Sequence, residues 1–152
     1  GMMRDIYYED YMIGQIYKTS SACIDAMAIK DFAEKYDPQP HHLNEEAGRN
    51  TMVGGLVASG WQTAALTMKL LVDSDFTPER GFIGAGFDEL SWPNPLRPND
   101  EIHAIAKVLS ARISKSRPSH GILKVRIETY NQKNELVQKQ VVNLFVLRKQ
   151  SY

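Results

Sequence analysis

Asp37-Pro38-Gln39-Pro40-His41-His42, followed by Gly54-Gly55-Leu56-Val57-Ala58-Ser59-Gly60 and the apolar run from Trp61 to Val72, is the stretch on which the fold of this chain turns. Its first part sets a carboxylate and an imidazole five residues apart on a loop stiffened by two prolines. Its second part is a glycine-rich entry to a helix predicted over residues 58–72. There Trp61, Ala64, Ala65, Leu66, Met68, Leu70, Leu71 and Val72 leave only a narrow polar line through Gln62, Lys69 and Asp73. That pattern predicts a helix buried on nearly all sides, and such a helix has to be wrapped by the rest of the chain.

The second half can do the wrapping. After a polar loop over 73–80, the apolar period changes toward two over 82–90, 101–114, 122–131 and 136–147. Ile102, Ala104, Ala106 and Val108 alternate with more polar neighbours, as do Leu123, Val125 and Ile127 with Lys124, Arg126 and Glu128, so one face is buried and the other partly wet. Turn residues separate these runs: Pro93, Pro95 and Pro98, then Arg117 to Gly121, then Gln132 to Asn134. The strands are expected to meander antiparallel, in an α+β layout with a long sheet curled around one central helix. Their long edges are expected to drive pairing with a second copy.

Toward the N-terminus, residues 5–14 form a lead-in rich in tyrosine and acid, and 15–20 a short strand. An amphipathic helix follows over 25–35, stopped by Pro38. A short polar helix over 44–48, capped by Asn44, carries the chain back.

With 152 residues and no internal repeat or linker, a single domain over 1–152 is expected. A formal net charge of zero removes any global attraction to nucleic acid or anionic membrane. No run reaches the ~20 apolar residues of a membrane span, and residues 1–5 lack a signal core. The single Cys23 and the spacing of the four histidines give neither a disulfide nor a zinc site, so a reducing cytoplasm and no metal are expected.

Four ordered landmarks together resemble the MaoC-like dehydratases of the hot-dog fold, a family of enoyl-thioester hydratases. The family pattern runs as Phe-Ala, then Asp-x-Asn-Pro-x-His, then Gly-Gly-x-Ile-Ala-His-Gly opening the central helix, then Phe-x-x-Pro-x-x-x-Gly-Asp. Here these are Phe32-Ala33, Asp37 to His42, Gly54 to Gly60, and Trp92-Pro-Asn-Pro-Leu-Arg-Pro-Asn-Asp100. The chain departs from the pattern at Gln39 in place of Asn, Ser59 in place of His, and Asn99 in place of Gly. Met68, beside Thr67, stands where some active members carry serine.

The resemblance implies reversible hydration of a trans-2-enoyl thioester to a 3-hydroxyacyl thioester. That reaction needs water deprotonated as it attacks C3, a proton delivered at C2, and stabilised charge on the thioester oxygen. Asp37 and His42 are the implied proton-handling pair, and the backbone N–H of Gly60 the implied oxyanion donor. Gly55, Ser59 and Trp61 are expected beside the substrate. A larger side chain at Gly60 is expected to crowd the thioester while costing the helix little. His41 is set aside on the expectation that neighbours in an extended loop point opposite ways.

Plainer roles exist for the same residues. Asp37 also suits a helix-ending turn, and His42 a histidine bonded to backbone. Gly54, Gly55 and Gly60 lack the Lys-Ser/Thr of a phosphate loop. Arg112, Lys115 and Arg117 suit either coenzyme A phosphates or a solvated strand end.

The implied partners are acyl-CoA or acyl carrier protein thioesters, with no cofactor beyond coenzyme A as part of the substrate. The implied assembly is a homodimer, or a dimer of such dimers. A non-catalytic acyl-thioester binding or regulatory module and a hot-dog thioesterase are the alternative readings.

Overall fold

The computed structural model describes residues 5–150; the part of the N-terminal reading that falls on residues 1–4 lies outside them. Along the chain run β1 (Ile16–Lys18), β2 (Ala22–Cys23), α1 (Ala26–Tyr36), α2 (Pro40–Leu43), α3 (Glu45–Arg49), α4 (Gly60–Val72), β3 (Ile83–Ser91), β4 (Glu101–Ile113), β5 (His120–Tyr130) and β6 (Leu136–Leu147). The strands pair antiparallel in the order β1-β4-β5-β6-β3, with β2 also on β4. α4 packs across the sheet on β4 and β6. This is the hot-dog fold that the sequence led us to expect.

Burial alternates as the period-two pattern requires. Ile102, Ala104, Ala106 and Val108 of β4, and Leu123, Val125 and Ile127 of β5, have at most 1% of their surface exposed. Burying such a side chain contributes roughly 1.5–3 kcal/mol, and a one-residue slip would turn the whole row to solvent, so register follows from burial. A second core cluster, including Ile29, Leu56, Leu70, Leu96, Ile102 and Val137, ties α1 and α4 to the start of β4 and β6.

Two expectations about the sheet are corrected. The meander covers only β4, β5 and β6, because β3 pairs with β6 rather than with its sequence neighbour β4. The segment 92–100 therefore has to carry the chain from one side of the sheet to the other. The expected exposed edges were the long strands now seen as β4 and β6, yet both are interior. The edges are the short β1 and, at the other side, β3, where Ile83 and Phe87 lie exposed and the pairing is interrupted around Gly84/Gly86 and Phe87/Glu89.

α4 also differs from its reading. Its buried residues are Gln62, Thr63, Thr67, Leu70 and Leu71, while Trp61 and Val72 are exposed. Polar groups can face inward where hydrogen-bond partners are at hand, although Gln62 Oε1 is buried without one among the described residues. The Thr67 hydroxyl meets that of Thr129 on β5 at 2.8 Å, and Gln62 Nε2 donates to the Ala28 carbonyl of α1 at 2.9 Å.

The polar loop expected over 73–80 conceals a core residue. Phe76 is fully buried, with ring centroids 5.3 Å from Tyr11, 5.2 Å from Tyr17 and 5.9 Å from Phe82. The Tyr11 hydroxyl donates to the Phe76 carbonyl. Phe76→Ala is expected to cost about 3–5 kcal/mol, measured as a lowered denaturant midpoint.

Candidate active site

Asp37 closes α1: its N–H donates to the Ala33 carbonyl at 2.9 Å, and the following Pro38 disfavours further helix. The Gln39 N–H then turns back onto the Asp37 carbonyl at 2.8 Å, and Pro40 takes the first position of α2. There proline's missing N–H costs nothing and its fixed φ suits the helix. The loop expected to be extended is therefore a helical turn. Consequently His41 and His42 do not point opposite ways; their ring centroids lie 4.2 Å apart. Both line the same cavity.

What separates the two histidines is their bonding. His42 is buried, its Nδ1 is 2.7 Å from the Val57 carbonyl, and its Nε2 is 3.3 Å from Asp37 Oδ2. A carbonyl oxygen only accepts, so Nδ1 carries a proton and Nε2 is the nitrogen that gains or loses one. Val57 is itself fixed, since its N–H donates to the His41 carbonyl at 3.0 Å and the next N–H, of Ala58, to the Leu96 carbonyl at 2.8 Å.

Asp37 is held by neighbours from two directions. Ser59 Oγ donates to Oδ2 at 2.7 Å, and Gln39 Nε2 donates to Oδ1 at 2.6 Å. Burial pushes the carboxyl pKa up, but the two donors and the nearby histidines outweigh it and hold the group below its ordinary value.

The cavity is about 350 Å³ and is walled by Val57, Ala58, Gly60, Thr63, Trp92 and Val137, with Met52 and Arg97 also contributing. Gly60 is the first residue of α4, and its N–H has no acceptor among the described residues. The helix N-terminus therefore presents a donor and a partial positive charge at the cavity wall. The other expected substrate contacts lie elsewhere. Ser59 is fully buried against Asp37, and Trp61 is exposed beside the Trp92 ring. Gly55 packs where a Cβ on Gly48 would meet its backbone, off the cavity wall. Arg112, Lys115 and Arg117 are remote: the register runs from Ile113↔Gly121 at their end of the sheet to His103↔Tyr130 at the other, near the cavity.

Residues 11–131 match the model of the MaoC like domain. The chain belongs to the MaoC-like family. It is similar to the MaoC-like dehydratase from Rhodospirillum rubrum, at 46% identity and a TM-score of 0.91, covering 96% of this chain and 99% of that one. It is 32% identical to the protein YdeM of Bacillus subtilis (strain 168) over 140 residues, 92% of this chain and 98% of that protein. R-hydratase PhaJ1 from Pseudomonas aeruginosa shares the fold, with a TM-score of 0.75 at 20% identity over 95% of this chain and 87% of that one.

One cavity residue of this MaoC-like chain went unassigned in the sequence reading, although its motif was noted. Trp92 lines the cavity, donates from Nε1 to Gln138 Oε1 at 2.8 Å, and lies against Gly60. A bulky aromatic among prolines was the available signal; its long-range partner Gln138 left none. Asn99, the departure from glycine, has φ 68°, the left-handed region that asparagine tolerates better than most residues.

Gly60 is also tighter than expected, because an added Cβ would lie 2.5–2.8 Å from Trp92 ring atoms. Gly60→Val is expected to destabilise the protein by about 1–3 kcal/mol through overpacking. Thermal melting should show this loss, and a Trp92→Ala background should remove most of it.

Proposed function

We propose that this chain is a hydro-lyase of acyl thioesters, which reversibly hydrates a trans-2-enoyl thioester of coenzyme A or acyl carrier protein to the 3-hydroxyacyl thioester. The observation that carries the reading is the His42 imidazole, with Nδ1 committed to Val57 and Nε2 set against Asp37 Oδ2 on the wall of a largely apolar cavity. Membership of the MaoC-like family supports dehydratase chemistry.

In the hydration direction, Asp37 orients a water molecule and His42 Nε2 takes its proton as oxygen bonds to C3. Charge moves onto the thioester oxygen, where the Gly60 N–H stabilises it. The same proton then passes from Nε2 to C2, so that the elements of water are added and nothing else is consumed. No cofactor is needed beyond the coenzyme A or carrier arm of the substrate. The lone free Cys23 suits a reducing compartment such as the cytoplasm.

The chain acts as a two-fold homodimer, or a pair of such dimers. Among the described residues β3 has one neighbour in the sheet, β6, and an antiparallel edge can meet its own copy about a two-fold axis. Ile83, Phe87, Trp61 and Val72 supply exposed apolar area that a partner would cover.

Asp37→Asn and His42→Ala are each expected to lower kcat by about 10² or more with the fold intact, and the double variant to be little worse than either single one. The measurement is loss of enoyl absorbance across a panel of 2-enoyl thioesters, beside a free-thiol assay. Thiol release in place of hydration would mean hydrolysis, and near-wild-type turnover in a single variant would remove that residue from the chemistry. Light scattering is expected to give twice the 17.2 kDa chain mass, falling toward one chain mass in a Phe87→Lys variant.

A further inference from the structure

The two oxygens of Asp37 are both occupied, and by residues that do not line the cavity. An ionised carboxylate only accepts, so the Ser59 hydroxyl proton and the Gln39 amide NH₂ must point at it. Ser59 has a second attachment: its Oγ accepts the Trp61 N–H at 3.3 Å while capping α4. One fully buried hydroxyl therefore couples the carboxylate at the end of α1 to the first turn of α4, where Gly60 sits. Gln39 completes the grip from the exposed side.

We propose that Ser59 and Gln39 are positioning residues for Asp37, holding Oδ2 against His42 Nε2 so that the carboxylate orients while His42 alone carries the proton. This rests on the reading of Asp37 and His42 as the proton-handling pair. The terminal torsion of an aspartate is broad, so without donors on both oxygens neither would stay turned toward the imidazole. Hydrogen bonds to a charged acceptor are also the strong ones. Against the upward push of burial, they help keep the carboxyl below its ordinary value, so loss of either donor raises it. The titratable groups that act most on Asp37 are His42 and His41, both from α2, and Lys35 and Tyr36 precede it on α1.

The test measures kcat and KM separately for Ser59→Ala, Ser59→Cys and Gln39→Glu, and follows the carbon-13 shift of the Asp37 carboxyl against pH in each. The Ser59 variants are expected to lose about tenfold to a hundredfold in kcat, the scale of one hydrogen bond to a charged group, with KM close to wild type. Cysteine nearly preserves volume but donates weakly, so a loss there at unchanged melting temperature separates bonding from packing. Gln39→Glu sets a second carboxylate beside the first and is expected to move the Asp37 titration upward. Gln39 is exposed, so this variant should fold even if the Ser59 variants do not. An unmoved Asp37 titration in Gln39→Glu overturns the proposal. So does a raised KM at unchanged kcat in the Ser59 variants, which would make Ser59 a substrate contact. The titration does not depend on turnover: a wild type inactive on every enoyl thioester, with the expected shifts present, would sink the hydratase reading and leave the clamp standing.

Discussion

The candidate site is assembled around one carbonyl, that of Val57. It accepts from His42 Nδ1, while the N–H of the same residue donates to the His41 carbonyl and the next N–H to Leu96. Three stretches far apart in sequence, 37–42, 56–60 and 92–97, are thereby pinned to one another just ahead of α4. The bonds also decide chemistry, because a carbonyl can only accept and so leaves Nε2 as the ring nitrogen free to exchange a proton. Backbone geometry alone sets the tautomer.

How the chain reaches this arrangement explains what could be seen in advance. The central helix and the long strands were legible, because periodicity and turn residues act locally; Asp37 and His42 were named by the family resemblance, and they lie 3.3 Å apart. The placement of β3 beside β6 was not, since nothing in its own residues names its neighbour. The turn at Pro40 was misjudged because a proline was read as stiffening an extended loop, where it instead opened a helical turn and brought both histidines to one cavity. Ser59 and Gln39 were treated as departures, yet each has an atom on Asp37. The value of Ser59 depends on a fold that places residues 22 positions apart in contact, which no local pattern contains, whereas Gln39 reaches Asp37 across two positions through the turn at Pro38.

α4 shows how side-chain chemistry and position can trade places. Its inward face carries Gln62, Thr63 and Thr67, and its outward face Trp61 and Val72. Hydroxyl and amide groups cost little inside when partnered, as Thr67 is by Thr129. Trp61 and Val72 on this helix, like Ile83 and Phe87 on β3, are large apolar side chains left exposed.

The chain has two tryptophans, one on the cavity wall and the other outside the cavity but in contact with the first. Trp92 is on the cavity wall against Gly60, and Trp61 meets it edge to face with centroids 5.4 Å apart. With no third indole elsewhere to add background, the protein's ultraviolet emission is in effect a built-in optical reporter of this one cavity. Filling of the cavity can be followed without a label and without turnover.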